Sequence, residues 1–306
     1  MGKITFVFAG QGAQYSGMGK ELATVDPSAA QVFARIDAIR PGTSDQCFSG
    51  AMEELSRTKN TQPCMFAVEM AAAEALAAAG ICPDYLAGFS VGEIAALTFS
   101  GAVSFEDGFK LVCSRGQLMQ ECSEQADTAM TAVLKLDENT VEQLCSHYDH
   151  IYPVNYNCPG QIVVAGLRTS MEDFKLAVKQ AGGRAMPLPV SGAFHTPFMA
   201  EAARKLGDTL AAISFSAPGI PLYANYSGSL YQGDFRQLLT SQICNPVRWQ
   251  QIVEQMAQEG VDTFIEVGPG STLSGFINRT LPEARTLHVE NAASLEETIC
   301  EVKDHD

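Results

Sequence analysis

The sequence predicts an α/β protein in two parts: a large domain built on a parallel sheet, interrupted once by a small inserted ferredoxin-like domain. Three observations predict it. Short apolar runs such as Lys3-Ile4-Thr5-Phe6-Val7-Phe8, Tyr85-Leu86-Ala87 and Thr263-Phe264-Ile265-Glu266-Val267 each run into a glycine-bearing turn, with helical stretches between them. That alternation belongs to a sheet with crossover helices. Residues 127–194 change character and read β-α-β-β-α-β in one pass, after which the α/β alternation resumes. The expected boundaries are therefore 1–126 and 195–306 for the large domain and 127–194 for the insert.

A chain of 306 residues suffices for one large domain plus an insert. The net charge of -15 argues against nucleic acid and against anionic membrane surfaces as partners. No signal peptide and no apolar run near the length of a membrane span are visible, so a cytoplasmic protein is expected. The nine cysteines form no CxxC or Cys/His cluster; they read as buried thiols in a reducing compartment, and no metal site is expected.

Taken in order, residues 3–8 are a buried strand running into Ala9-Gly10-Gln11-Gly12-Ala13-Gln14. Such a loop lies at the carboxyl edge of a parallel sheet, or is simply a strand-to-helix connection. It has no Gly-Lys-Ser/Thr ending, and GxGxxG is absent, which disfavours nucleotide binding. Thr61-Gln62-Pro63 predicts the N-cap and first-turn proline of a helix that ends at Gly80. A strand over 85–87 leads to a second helix, Gly101 breaks it, and Ser104 opens a third through about Cys122. In the insert, strands are expected over 130–136, 152–155, 161–165 and 185–190, with helices over 139–147 and 170–181. The remainder offers a strand over 221–225, a helix over 249–259, the strand 263–267 and the turn Gly268-Pro269-Gly270. The tail after Glu297 reads as expendable.

Three residues carry candidate chemistry. Gly88-Phe89-Ser90-Val91-Gly92 sits between strand and helix, the setting in which Gly-x-Ser-x-Gly makes a nucleophile elbow. The other reading of Ser90 is an ordinary glycine-bounded helix cap. His195, in Gly192-Ala193-Phe194-His195-Thr196-Pro197, is a general base or a satisfied loop histidine; His147, His150, His288 and His305 lie in polar surroundings and read as surface residues. Arg115 is a solvated helix residue or, near a serine nucleophile, a fork for a carboxylate.

Together these stretches resemble the malonyl-CoA:acyl carrier protein transacylase family, over nearly the whole chain and in order. The matching motifs are Gly10-Gln11-Gly12-Ala13-Gln14, Thr61-Gln62-Pro63, Gly88-Phe89-Ser90-Val91-Gly92-Glu93, Arg115-Gly116 with Met119-Gln120, Pro159-Gly160-Gln161, Gly192-Ala193-Phe194-His195, Asn245-Pro246-Val247-Arg248-Trp249 and Glu266-Val267-Gly268-Pro269-Gly270. The chain departs from the family's usual pattern at Phe89, where His is common, at Thr196 for Ser, and at Ser271 for Lys.

The resemblance implies an α/β-hydrolase-like large domain with a ferredoxin-like insert. It implies Ser90 as the acylated nucleophile, His195 as its base, and backbone N–H groups of Gln11 and Val91 as the oxyanion hole. Arg115 would bind the malonyl carboxylate with Gln62 in support, and Phe194 would fill the α-carbon side of the pocket. A main-chain carbonyl on or near Arg248, in the stretch opened by Asn245, would orient the histidine. The implied substrate is malonyl-CoA and the implied partner a holo-acyl carrier protein bearing phosphopantetheine, with no resident cofactor and a monomer favoured. A serine hydrolase, its acid drawn from residues such as Asp127 or Asp137, and a non-catalytic carrier-protein scaffold are the alternatives.

Overall fold

Residues 2–190 and 192–304 are described by a computed structural model of the chain; His305, read above as a surface residue, lies outside the described residues. Strand β1 (Lys3–Phe8) is buried at every position after Lys3. Helices α1 (Lys20–Val25), α2 (Pro27–Ile39), α3 (Thr43–Ser49), α4 (Met52–Leu55) and the long α5 (Thr58–Ala78) follow, then β2 (Tyr85–Gly88), α6 (Gly92–Phe99) and α7 (Phe105–Ser123). The middle of the chain forms β3 (Thr128–Leu134), α8 (Glu138–Ser146), β4 (Ile151–Cys158), β5 (Gln161–Leu167), α9 (Arg168–Gln180) and β6 (Arg184–Pro187). A single 3-10 turn at Pro197–Met199 leads to α10 (Ala200–Ala211), β7 (Leu222–Tyr223), α11 (Phe235–Cys244), α12 (Trp249–Gln258), β8 (Val261–Val267), α13 (Thr272–Thr280), β9 (Arg285–Val289) and α14 (Ala292–Lys303).

The strands form two sheets. β7-β2-β1-β8-β9 are parallel throughout, and β4-β5-β3-β6 are antiparallel throughout. In the first sheet the chain leaves β1 toward β2 on one side and later lays β8 on the other. The carboxyl end of β1 is thus a switch point, where the loops after β1 and β2 diverge and open a crevice. In the second sheet the four strands carry α8 and α9 in the predicted β-α-β-β-α-β order, over their own apolar cluster of Val133, Ile162, Val164, Phe174 and neighbours.

The Asn-Pro-Val stretch joins the two sheets. Val247 makes a parallel bridge to Asn155, its N–H donating to the Val154 carbonyl at 2.9 Å and its carbonyl accepting from Tyr156 N–H at 2.9 Å. Edge strand β4 thereby finds partners for the backbone groups it would otherwise leave open.

Several sequence-based expectations need correction. Helix α5 starts at Thr58, so Thr61 is no N-cap and Pro63 lies inside the helix. A tertiary contact supersedes the local signal, since the Thr58 N–H donates to Gln120 Oε1 of α7 at 2.8 Å, satisfying one of the open N-terminal donors. β7 is shorter than the predicted strand because Asn225 turns away, its N–H donating to Glu93 Oε2 at 3.0 Å. The tail after Glu297 is the second half of a packed helix: α14 opens with an Asn291/Ser294 capping box and buries Thr298 and Val302. Of the cysteines, Cys82 and Cys300 are exposed and Cys113 and Cys244 half-buried. His288 is half-buried.

Candidate active site

Ser90 stands at the tip of the turn between β2 and α6 with φ 54°, a left-handed conformation that costs a non-glycine residue energy and needs surrounding structure to hold it. Asn225 supplies that support, its Oδ1 accepting the Ser90 N–H at 2.7 Å while its Nδ2 donates to the Gly88 carbonyl at 2.6 Å. The flanking glycines are required by space. A Cβ on Gly88 would come within 2.0 Å of the Gly92 backbone, and one on Gly92 within 2.4 Å of the Phe8 carbonyl oxygen. With both absent, the chain folds back tightly enough to lift the serine hydroxyl above the sheet.

His195 comes from the loop before the 3-10 turn, also with positive φ, 61°. Its Nε2 lies 2.8 Å from Ser90 Oγ and its Nδ1 2.8 Å from the Gln242 carbonyl oxygen. A carbonyl can only accept, so Nδ1 carries the proton and Nε2 offers its lone pair to the serine hydroxyl. The ring is buried. Burial, and then the positive charge of Arg115, hold its pKa down to about 4, opposed by backbone contacts from Gln242 and Asn245. At neutral pH the imidazole is therefore unprotonated, the form that accepts a proton from Ser90.

Arg115 is 1% exposed on α7. Its guanidinium donates from Nη1 to Gln62 Oε1 at 2.8 Å and from Nη2 to Ser90 Oγ at 3.2 Å. Burial lowers its pKa to about 10, which leaves it a cation at neutral pH. The hydroxyl, the imidazole and the guanidinium, far apart in sequence, thus meet around Ser90 Oγ. The N–H groups of Gln11 and Val91 have no hydrogen-bond partner among the described residues, so both donors are open to a ligand atom. Gln11, Gln62, Phe89, Ser90, Met119, Met130, Asn155, Leu188, Val190, Phe194 and His195 line a cavity of about 90 Å³. It shares Gln11, Phe89, Asn155, Leu188 and Val190 with a larger groove of about 490 Å³ between the two sheets.

One assignment needs correction. Arg248 does not orient the histidine: its carbonyl accepts the Ile252 N–H as α12 begins, and its side chain reaches the Tyr226 carbonyl. The carbonyl on His195 belongs to Gln242, near the end of α11. Asn245 reaches the ring through its backbone, while its side chain bonds the Ser241 carbonyl. Gln242 was missed because α11 was not read as a helix. The signal was there, with Asp234 as N-cap and Phe235, Leu238, Leu239 and Ile243 at helical spacing. Asn225 and Tyr231 gave no local signal, as their importance comes from contacts across the fold, and Glu93, although part of the matching elbow motif, was given no role. Asp127 is exposed and pairs with Arg168, and exposed Asp137 caps α8, so neither is the acid of a Ser-His-acid hydrolase.

Residues 5–304 match the acyl transferase domain family. The chain belongs to this family. Among curated relatives of this acyl transferase, the malonyl CoA-acyl carrier protein transacylase of Bacillus subtilis (strain 168) is 36% identical, covering 99% of this chain and 98% of the relative. That of Escherichia coli (strain K12) is 38% identical over 91% and 93%. Among solved structures, the malonyl CoA-acyl carrier protein transacylase of Clostridium perfringens ATCC 13124 superposes with a TM-score of 0.96 at 38% identity, over 99% of this chain and 98% of that one. A malonyl-transacylase solved in complex with its type II PKS acyl-carrier protein gives a TM-score of 0.94 at 34% identity, over 98% and 99%. The acyl transferase is thus an enzyme of α/β fold with a parallel and a smaller antiparallel sheet, matched over 91–99% of its residues by these relatives.

Proposed function

We propose that this acyl transferase moves the malonyl group from malonyl-CoA to the phosphopantetheine thiol of an acyl carrier protein through a malonyl ester of Ser90. One observation carries the reading: Ser90 Oγ lies 2.8 Å from a neutral imidazole and 3.2 Å from a buried guanidinium. A base activates the hydroxyl, and a cation beside it suits an acyl group that bears its own carboxylate. At about 4 Å and an effective dielectric near 20, that attraction is about 4 kcal/mol before desolvation, whereas an acetyl group leaves the cation buried and unpaired.

In the first half-reaction His195 Nε2 takes the Ser90 proton as Oγ bonds to the thioester carbonyl carbon. The oxyanion is held by the N–H groups of Gln11 and Val91, each such donor typically contributing about 3–4 kcal/mol. The carbon–sulfur bond breaks, and the CoA sulfur leaves with the proton from His195. In the second half-reaction the carrier thiol gives its proton to His195, its sulfur bonds to the malonyl carbon, and Ser90 recovers the proton as the ester breaks. The groove beside the cavity fits the thiol-bearing arm. Asn155 and Asn157 line it and carry buried Oδ1 atoms without a partner among the described residues, acceptors suited to the amide N–H groups of such an arm.

As parts of the same proposal, residues 127–194 form a unit around the antiparallel sheet, and the enzyme works as a cytoplasmic monomer without a resident cofactor. Sedimentation as a dimer would overturn the monomer. The reaction is tested by intact mass after incubation with malonyl-CoA. The wild type should gain about 86 Da, the mass of a malonyl group, and Ser90→Ala should gain none. Holo-carrier protein should then discharge the adduct much faster than water does. A wild type that takes up no mass refutes the proposal, and discharge by water alone makes the enzyme a hydrolase.

A further inference from the structure

Gly-Phe-Ser-Val-Gly is followed by Glu93, which the reaction scheme leaves unused. This carboxylate has no exposure to solvent. Its Oε1 accepts from the Tyr231 hydroxyl, and its Oε2 accepts from Gln242 Nε2 at 2.8 Å and from the Asn225 N–H at 3.0 Å. The Gln242 side chain is itself buried. Besides meeting Glu93, its Nε2 donates to the Ser90 carbonyl at 2.9 Å, and its Oε1 accepts from Arg115 Nη2 at 2.8 Å.

An amide has a donor end and an acceptor end, and here the surroundings permit only one sense. Turned over, the Gln242 oxygen would face the Glu93 carboxylate and the Ser90 carbonyl, and its NH2 would face a guanidinium. The hydrogen bond to an ionised carboxylate is also the stronger kind. A buried anion thus holds an amide, and the amide holds a cation against the serine hydroxyl. Gln62 meets the other arm of Arg115 at Nη1, and the Arg115 Nε is buried without a partner among the described residues, so Gln242 supplies the side-chain carbonyl on the arm that reaches Ser90.

We propose that the side chain of Gln242, anchored by Glu93, is a positioning residue that selects the acyl group by holding the Arg115 guanidinium at Ser90. The role is separate from that of the Gln242 main-chain carbonyl on His195, and it rests on the reading of Arg115 as the site of the substrate carboxylate.

Gln242→Met separates the two roles, since it keeps the main-chain carbonyl and most of the side-chain volume but removes the amide. Acylation of Ser90 is measured with malonyl-CoA and with acetyl-CoA. For Gln242→Met, kcat/KM for malonyl should fall by about 10- to 100-fold, as expected for a lost hydrogen bond to a charged group, and the malonyl-to-acetyl ratio of kcat/KM should fall with it. A purely structural role would lower both alike, and equal losses, or no loss, overturn the inference. Should the stranded Glu93 charge prevent folding, Glu93→Gln/Gln242→Met removes that charge and the same ratio is read. A wild type that does not prefer malonyl refutes the reading of Arg115 and this inference with it. A preference that survives in Gln242→Met refutes the inference alone.

Discussion

At the scale of single residues, the polar side chains at the centre of the site, His195, Gln242 and Glu93, are buried and held by partners that permit one sense only. His195 illustrates the consequence. With its pKa held to about 4 by burial and by Arg115, it stays an unprotonated base well below the ordinary histidine value near 6.5. Activity should therefore persist as pH falls through 6.5 and fail only near 4. The profile is best read as kcat/KM with an acetyl thioester, which does not rely on Arg115. An acid limb at 6.5 would mean that the ring is not desolvated in solution. The same depression acts on stability: the unfolded chain binds more protons at this position between about pH 4 and 6.5, so the contribution of His195 to stability declines across that window as pH falls.

At the scale of elements, the elbow shows how a few residues set the path of the chain. Strand, turn and helix around Ser90 were legible because glycine at both flanks and apolar residues on the approach are local properties. The element order of the small sheet was legible for the same reason, its six elements following one another without interruption. What escaped were features that depend on distant partners: the start of α5 at a donor met by Gln120, the shortening of β7 as Asn225 turns to Glu93, and the carbonyl of Gln242. Ser90, His195 and Arg115 could be picked out singly, but their meeting could be anticipated only from the resemblance. Gly92 allows a direct test of the elbow. Gly92→Ala would place a Cβ within 2.4 Å of the Phe8 carbonyl oxygen and 2.5 Å of that of Ala9. Backbone cannot give way there as a side-chain tip can, so a loss of about 3 kcal/mol or more is expected in urea unfolding. An unchanged midpoint would contradict the close approach of α6 to the end of β1.

At the scale of the whole molecule, the last helix belongs to the large sheet. α14 buries Val302 and Thr298, and the Thr298 hydroxyl donates to the His288 carbonyl at the edge strand β9. A chain ended at Glu297 should lose about 2–3 kcal/mol of stability from that burial, measured as a lowered urea midpoint; equal stability would show that the helix end is dispensable. The order of strands reaches further. β1 is flanked by β2, the next strand along the chain, and by β8, which follows the whole small sheet, while the small sheet draws all its strands from one contiguous run. During synthesis the small sheet can close as soon as its own strands emerge. Strand β1 must wait, one side uncovered, until β8 has left the ribosome, and that delay leaves its open edge in need of shelter from aggregation.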